Sequence, residues 1–184
     1  MTIETSFVSE VTYLPEFEAL LLDYYKDVLQ VAEAAGLPKL APEDIVASSI
    51  DHLDEMLPPN GRLALARDAH GRLVGCATLR RIRPDAVEMK RMYVRPEARG
   101  NGLGQQLFEM RIQEAKRMGC RAVYADTAKG NRPMLSMYER FGFRYVSRYP
   151  ENANLVEYEP YLVYLEYIFD QDAGSSEANE AQSG

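Results

Sequence analysis

Three glycines follow Arg99 within residues 99–104, RGNGLG, between a predicted strand and a predicted helix. Glycines allow successive backbone N–H groups to point into one concavity, and the first turn of the following helix adds unpaired amides and the positive end of its dipole. Arg95 and Arg99 bring side-chain charge to the same rim. Because guanidinium groups pair well with phosphate oxygens, the segment predicts an anion site with pyrophosphate as the natural ligand.

Two nucleotide-binding patterns compete for this loop. A dinucleotide fold needs Gly-x-Gly-x-x-Gly after a buried strand; Gly100 and Gly102 could begin it, and Asp126 could hold the ribose. The third glycine position is Gln105, however, and the charged strand 86–94 does not resemble a fully buried one. A Walker-type phosphate loop is excluded because no Gly-Lys-Ser/Thr follows.

The loop is part of a longer set of motif residues. The set comprises MYVRP at 92–96, Arg99, Gly102, Gly104, Asn131, Tyr138 and FGF at 141–143. In type and spacing it resembles the acetyl-CoA signature and the following block of the GNAT superfamily of N-acetyltransferases. The resemblance covers residues 3–169, and its specific motifs lie within residues 88–143.

The resemblance implies an α/β (α+β) fold with a mixed, twisted central sheet flanked by helices. The strands that end at Val94 and Asp126 would splay apart, and the pantetheine arm of acetyl-CoA would pair with backbone groups of Met92 and Val94 in that wedge. The pyrophosphate would lie on the amides of residues 99–104. The implied cosubstrate-binding residues are Met92, Tyr93, Val94, Arg95, Arg99, Gly100, Asn101, Gly102, Leu103, Gly104 and Asn131.

The same resemblance implies roles for two side chains in attack by an amine on the thioester. Glu88 would act as the base, because an alkyl ammonium must lose a proton first. The alternatives are a water chain to another group, or an ordinary ion pair of Glu88 with Lys90 or an arginine on an exposed face of the sheet. We expect Glu88, Lys90 and Met92 to share one strand face. Tyr138 would protonate the departing thiolate, unless it is a packed core tyrosine. Asn131 would contact the pantetheine, cap a helix, or do both.

Periodicity indicates the elements that position these residues. Apolar spacing predicts helices over 15–35, 42–57, 102–118 and 131–140, and alternation predicts strands over 62–68, 73–82, 86–94, 121–126, 143–148 and 161–169. The first three strands predict an antiparallel meander, and strand, helix and strand from 86 to 126 predict a parallel pair. We expect one domain over residues 1–169 and a disordered acidic tail over residues 170–184.

Charge is distributed unevenly along the 184 residues. The net charge of -7 divides into -10 for residues 1–60, +7 for residues 61–169 and -4 for residues 170–184. The phosphate loop therefore lies in the basic part, although the overall acidity argues against a nucleic-acid partner. If the acidic amino-terminal helices cover the acceptor site, their field would attract a cationic amine.

Other features narrow the class of protein. Cys76 and Cys120 lie far apart without ligand spacing, so neither a metal site nor a redox pair is predicted. The sequence contains no run of 18 consecutive apolar residues, so no membrane span is predicted. Residues 1–10 do not resemble a secretory signal. We expect a cytoplasmic protein; a homodimer is one option that the sequence leaves open.

The sequence therefore predicts an enzyme, an N-acetyltransferase that moves an acetyl group from acetyl-CoA to a primary amine of a small molecule, amino acid or peptide. An acyl-CoA-binding sensor that keeps the fold without catalysis is the alternative, and a dinucleotide-dependent oxidoreductase is the third hypothesis. Retention of both Glu88 and Tyr138 favours the enzyme.

Overall fold

The computed structural model describes residues 2–170, which form seven strands and four α-helices around one sheet. The strands are β1 (Ile3–Val8), β2 (Gly61–Asp68), β3 (Leu73–Arg83), β4 (Ala86–Val94), β5 (Ala122–Ala128), β6 (Arg144–Val146) and β7 (Leu162–Ile168). The helices are α1 (Leu14–Ala34), α2 (Pro42–Asp51), α3 (Leu103–Arg117) and α4 (Arg132–Arg140). Three short 3-10 turns cover Leu53–Met56, Pro96–Ala98 and Val156–Tyr161.

The sheet is mixed, with the strand order β1-β2-β3-β4-β5-β7-β6. Strands β1 to β4 pair antiparallel in sequence, which confirms the predicted meander of β2, β3 and β4. Strand β5 lies parallel to β4 after the α3 crossover, as predicted, and β7 inserts antiparallel between β5 and β6. The predicted mixed sheet flanked by helices is therefore confirmed.

Strands β4 and β5 pair along only part of their length. Their ladder runs from Ala86 opposite Ala122 to Met89 opposite Ala125 and then stops, although β4 continues to Val94 and β5 to Ala128. Beyond Met89 the two strands separate. This opening is the splay that the sequence resemblance implies, and it creates space in the middle of the sheet.

A bulge in β4 lies at the same place. The pairing with β3 shifts by one residue between Lys90 and Tyr93, and Arg91 has a left-handed φ of +48°. An extra residue reverses the alternation of side chains between the two faces. Met92 consequently joins Met89 in packing on the α3 side, so the expectation that Glu88, Lys90 and Met92 share one face is wrong.

Helices cover both faces of the sheet. On one face, Phe17, Leu20 and Leu21 of α1 are fully buried against apolar side chains of β2 and β3. On the other, Phe108 of α3 and Tyr138 of α4 pack in one core cluster with β4, β5 and β7 side chains. The opening between β4 and β5 therefore connects the α1–α2 layer with the α3–α4 layer.

Two local differences from the predicted elements have physical reasons. Strand β1 was not predicted, because an edge strand with three polar residues, IETSFV, is only half buried and alternates weakly. Helix α2 ends at Asp51 instead of 57, since His52 leaves the helical conformation and a 3-10 turn follows. Residues 171–184 of the predicted tail lie outside the described residues.

Candidate active site

A cavity of about 710 Å³ passes through the opening between β4 and β5. Side chains of α1 and α2, among them Tyr25 and Ser49, line one side of it. Arg111 of α3 and Tyr138 of α4 line the other side. Asp126, in the separated part of β5, lies on its wall. One space therefore joins the two helical layers, as a reaction between two bound molecules would require.

The loop of residues 99–104 has the backbone of an anion cradle. Gly100 and Gly102 have φ values of +82° and +77°, which side-chain-bearing residues rarely adopt. A Cβ at either position would meet no atom within 4 Å, so conformation and not packing demands glycine, and the space in front is open. Gly102 is the N-cap of α3, whose first amides have no intrahelical partner. Leu103 is buried and anchors the helix start, whereas Asn101 is exposed.

Arg99 lies beside this loop and is already engaged. Its Nε donates to the Val94 carbonyl at 2.8 Å, and a terminal nitrogen lies 2.9 Å from an Asp27 carboxylate oxygen. The guanidinium also lies over the Tyr93 ring at 5.6 Å from its centroid. Because Arg99 and Asp27 are both about half exposed, this ion pair is weak and easily exchanged for another anion.

Arg95 makes its contacts elsewhere. Its Nε donates to the Leu73 carbonyl at 3.1 Å, and it forms an ion pair with Asp23 of α1. These contacts direct Arg95 toward α1 and the start of β3. Gly104, in contrast, lies in the first turn of α3, where an added Cβ would be 3.9 Å from Met137.

Tyr138 is held in the α3–α4 core with its ring against two aromatic neighbours. It is 3% exposed, and the centroids of Phe108 and Phe143 lie 5.4 Å and 5.0 Å from its own. Burial raises the pKa of Tyr138 to about 12, more than the Arg111 guanidinium lowers it, and the Asp126 carboxylate raises it further. The phenol therefore keeps its proton at neutral pH and borders the cavity as a donor.

Asn131 also lines the cavity, at the start of α4. Its side chain does not cap the helix: Nδ2 donates to Thr127 Oγ1 at 3.0 Å, and only its carbonyl accepts the first helical bond, from Leu135 at 3.0 Å. The simple capping role is therefore not what the structure shows. Contact with a bound cosubstrate stays a prediction.

Glu88 lies fully buried behind the cavity wall and does not line the cavity. Arg80 Nε donates to it at 3.0 Å, Asn152 Nδ2 donates at 3.1 Å, and the Tyr149 hydroxyl donates to the same carboxylate. Burial and the nearby Glu88 carboxylate raise the pKa of Tyr149 well above its ordinary value. Glu88 is thus the centre of a satisfied polar network, and direct contact with an amine would require that network to open.

Asp126 is the carboxylate that links this network to the cavity. It accepts from Asn152 Nδ2 at 2.8 Å and lies 3.4 Å from Lys90 Nζ, which is itself 3.6 Å from Glu88. Burial lowers the pKa of Lys90, but the carboxylates of Asp126 and Glu88 outweigh it, so the net pKa is raised. Lys90 therefore stays charged and is not a base.

Two arginines line the cavity without a carboxylate partner among residues 2–170. Arg91 donates to the hydroxyls of Tyr25 and Ser49, at 3.1 Å and 3.4 Å. Arg111 is fully buried, donates to the Leu107 carbonyl at 3.4 Å and lies over Phe108. Burial lowers the pKa of Arg111 to about 10.

The structure brings Met92, Tyr138 and Asn131 together at one cavity and leaves Glu88 behind its wall. Sequence reasoning missed Lys90, Arg91 and Arg111 as cavity residues, and it considered Asp126 only as a ribose ligand. For Lys90 and Arg91 the available signal was charge in the middle of a strand, and for Arg111 it was charge on the apolar face of α3. No group of His, Cys, Asp and Glu within residues 2–170 is arranged to hold a metal ion. Within the same range no helix is long and apolar enough to cross a membrane.

Comparison with known proteins places this geometry in a family. The model of the acetyltransferase (GNAT) family matches residues 22–143. An uncharacterized N-acetyltransferase of Schizosaccharomyces pombe is 38% identical over 96 residues, covering 52% of this chain and 59% of that protein. An L-methionine sulfoximine/L-methionine sulfone acetyltransferase of Pseudomonas aeruginosa is 32% identical over 94 residues, covering 48% of this chain and 54% of that protein.

These alignments span little more than half the length of the curated relatives. A GNAT family acetyltransferase of Elizabethkingia anophelis, solved with acetyl-CoA bound, superposes with a TM-score of 0.58 and 20% identity, covering 91% of this chain and 98% of that one. This likeness shows the fold. Because the family model matches more than half of the sequence, the chain belongs to the GNAT family of acetyltransferases.

Proposed function

We propose that this protein transfers an acetyl group from acetyl-CoA to a primary amine by direct attack within a ternary complex. One observation carries the proposal: a single cavity crosses the sheet at the β4–β5 opening and borders Tyr138 on one side and α1–α2 on the other. The bound acetyl-CoA in the E. anophelis structure supports the choice of cosubstrate.

Residues of this chain fit such a cosubstrate. The left-handed Gly100 and Gly102 and the start of α3 would hold the pyrophosphate through backbone amides, and Arg99 would leave Asp27 to join them. The segment of β4 beyond Met89, no longer paired with β5, would pair with the pantetheine. A backbone N–H of that segment would stabilise the oxyanion.

We propose that Asp126 accepts the proton from the amine, directly or through one water. It is the carboxylate that both lines the cavity and contacts Lys90 and Asn152. Glu88, the base expected from sequence, would act as a positioning residue, because its charge holds Arg80, Lys90 and Asn152 in place. Tyr138, with its phenol protonated, would donate to the departing thiolate.

The acceptor is an amine that enters between α1 and α2. The prediction of a cationic acceptor rested on the acidic amino-terminal region, but only Asp44 of α2 and Glu55 bring carboxylates from that region to the cavity. The name of the P. aeruginosa relative states an amino-acid derivative as acceptor, and we propose an acceptor of comparable size.

We propose that residues 1–169 act as one catalytic unit in the cytoplasm. The thiols of Cys76 and Cys120 are both free and buried, which is the usual state in a reducing compartment. Burial raises the pKa of Cys76 to about 12, so this thiol is inert as a nucleophile.

The test is release of CoA thiol from acetyl-CoA with a panel of amino acids, small amines and peptide amines, together with mass detection of the N-acetyl product. We expect amine-dependent release that falls in Asp126→Asn and Tyr138→Phe. Stabilisation by acetyl-CoA without turnover of any amine would favour the non-catalytic sensor instead. If turnover were unchanged in both variants, the roles proposed for Asp126 and Tyr138 would be wrong.

A further inference from the structure

Arg91 is the cavity residue whose surroundings point to a ligand. Its guanidinium is partly buried and lines the cavity together with Tyr25 and Ser49. Tyr25 and Ser49 bond to each other at 2.9 Å, and both accept from Arg91. Two hydroxyls on two different helices therefore fix the direction of one guanidinium.

The two cavity-lining cations nearest to Arg91 on β3 and β4, Arg80 and Lys90, are neutralised by carboxylates, whereas Arg91 is not. Arg80 pairs with Glu88 at 3.0 Å, and Lys90 lies 3.4 Å from Asp126. The guanidinium of Arg91 has only hydroxyl hydrogen-bond partners within residues 2–170. Asp44 also borders the cavity, but it is exposed to solvent in the first turn of α2. A partly desolvated guanidinium with neutral partners has capacity for an anion.

The backbone is distorted at this residue. Arg91 has a φ of +48°, a left-handed conformation that is unfavourable for a side chain, and it occupies the bulge in β4. The bulge directs Arg91 toward α1 and α2 while Met92 turns to α3. Such distortion is found where a side chain must be re-aimed beside an active site.

We propose that Arg91, fixed by Tyr25 and Ser49, binds the carboxylate of the acceptor, so that the acetylated amine belongs to an amino acid or a closely related amino carboxylate. This inference rests on the proposed function. Arg91 lies one residue from Met92, in the part of β4 expected to hold the thioester arm. A carboxylate at Arg91 would therefore place an amine on the adjacent carbon close to the reaction centre, with its side chain in the remaining cavity.

The experiment compares matched acceptors at saturating acetyl-CoA. L-leucine, L-leucinamide and 3-methylbutylamine share the apolar group and the amine but differ in the carboxylate, and an equivalent triple based on L-methionine covers a second side chain. A charge-assisted hydrogen bond corresponds to roughly ten- to a hundredfold in affinity. We expect wild-type kcat/KM for the acid to exceed that for the amide and the amine by that factor.

The decisive variant is Arg91→Asn, because asparagine tolerates the left-handed backbone and removes the charge. We expect it to abolish the preference for the acid by raising the KM of the acid alone, with the KM of acetyl-CoA unchanged. Arg91→Lys should retain part of the preference, and Tyr25→Phe should reduce it several-fold. Arg144→Asn, at an exposed arginine of β6, is the control and should leave all constants unchanged.

Equal use of acid, amide and amine by the wild type would overturn the inference while leaving the acetyltransferase intact. A preference that survives in Arg91→Asn, or a raised KM for acetyl-CoA, would also overturn it. If Arg91→Asn unfolds, Arg91→Lys and Tyr25→Phe decide the same question. If no amine is acetylated, calorimetric titration with L-leucine and L-methionine tests the site: binding lost in the variant supports it, and no binding by the wild type contradicts it.

Discussion

The two sides of the cavity differ in how the sequence builds them. On the α3–α4 side, the residues proposed to hold acetyl-CoA lie within about 50 positions, from Met92 to Tyr138, and the glycine loop is a continuous segment. On the α1–α2 side, Tyr25, Ser49 and Arg91 meet only because three elements fold together. A shared cosubstrate with a variable acceptor would produce this difference: one half is a local motif, and the other is a tertiary assembly.

The largest expected effect comes from the polar network centred on Glu88, which Asp126 links to the cavity. In Glu88→Gln the partly buried Arg80 and Lys90 lose the fully buried carboxylate that they share, although each keeps a second carboxylate, Glu55 or Asp126. We therefore expect the free energy of unfolding to fall by about 3 kcal/mol, the lower end of the range for breaking a buried ion pair. Chemical denaturation measures it. The control is Glu166→Gln, whose partner Arg144 is 70% exposed; its effect should stay below about 1 kcal/mol. Equal effects in the two variants would show that the network does not stabilise the cavity.

The second effect concerns Tyr138 on the cosubstrate side. Tyr138→Phe should lower kcat roughly a hundredfold, if the phenol is the proton donor, with little change in the KM of the acceptor. Steady-state kinetics with a single amine measures this change. A variant in which kcat is unchanged would return Tyr138 to the status of a packed core residue.

The pH dependence of stability gives an independent measurement on the same variant. The phenol of Tyr138 titrates near 10 when unfolded and, because burial raises the folded pKa, near 12 when folded. Between these values the unfolded state releases a proton that the folded state retains, so stability falls as pH rises, by about 2 to 3 kcal/mol from this group. Tyr138→Phe should remove that part of the fall, whereas Tyr13→Phe, at an exposed site, should not.

A smaller effect separates backbone conformation from binding. Gly102→Ala and Gly71→Ala each add a Cβ at a left-handed φ, +77° and +79°, and neither Cβ meets an atom within 4 Å. Both should lose about 1 to 2 kcal/mol of stability from backbone strain. Only Gly102→Ala should raise the KM of acetyl-CoA, because Gly71 lies in the β2–β3 turn. A raised KM in both variants would indicate that general destabilisation is the cause.

The smallest effect concerns the exchange of partners at Arg99. Asp27→Asn removes an ion pair in which both side chains are about half exposed, so stability should change by less than about 1 kcal/mol. Freed from Asp27, Arg99 should bind the pyrophosphate more readily and lower the KM of acetyl-CoA about twofold, in proportion to the small energy of the pair. A raised KM would show that Asp27 positions Arg99 for the cosubstrate.

The contrast between the two sides also explains why the glycine loop could be predicted from the sequence and the bulge at Arg91 could not. Glycines with left-handed φ and a helix start are determined by neighbouring residues, so the loop could be located from sequence. The bulge at Arg91 could not, because it depends on how β4 registers against β3, and one inserted residue changed the faces of Arg91 and Met92. Strict alternation therefore placed Met92 on the wrong face.

The role expected for Glu88 has a similar limit. Its place on β4 beside Lys90 was predictable, but its burial depends on Tyr149 and Asn152, more than 60 positions away. Those residues close over the carboxylate and leave Asp126 on the cavity wall. Long-range contacts of this kind decide whether Glu88 or Asp126 can contact a substrate, and they cannot be predicted from the local spacing of residues.

Two-substrate kinetics on Gly102→Ala and Arg91→Asn measure whether the cavity is divided into a cosubstrate side and an acceptor side. With acetyl-CoA and L-leucine varied independently, Gly102→Ala should raise only the KM of acetyl-CoA, and Arg91→Asn only that of the acid. If either variant raised both constants to the same extent, the cavity would not be divided into a cosubstrate side and an acceptor side.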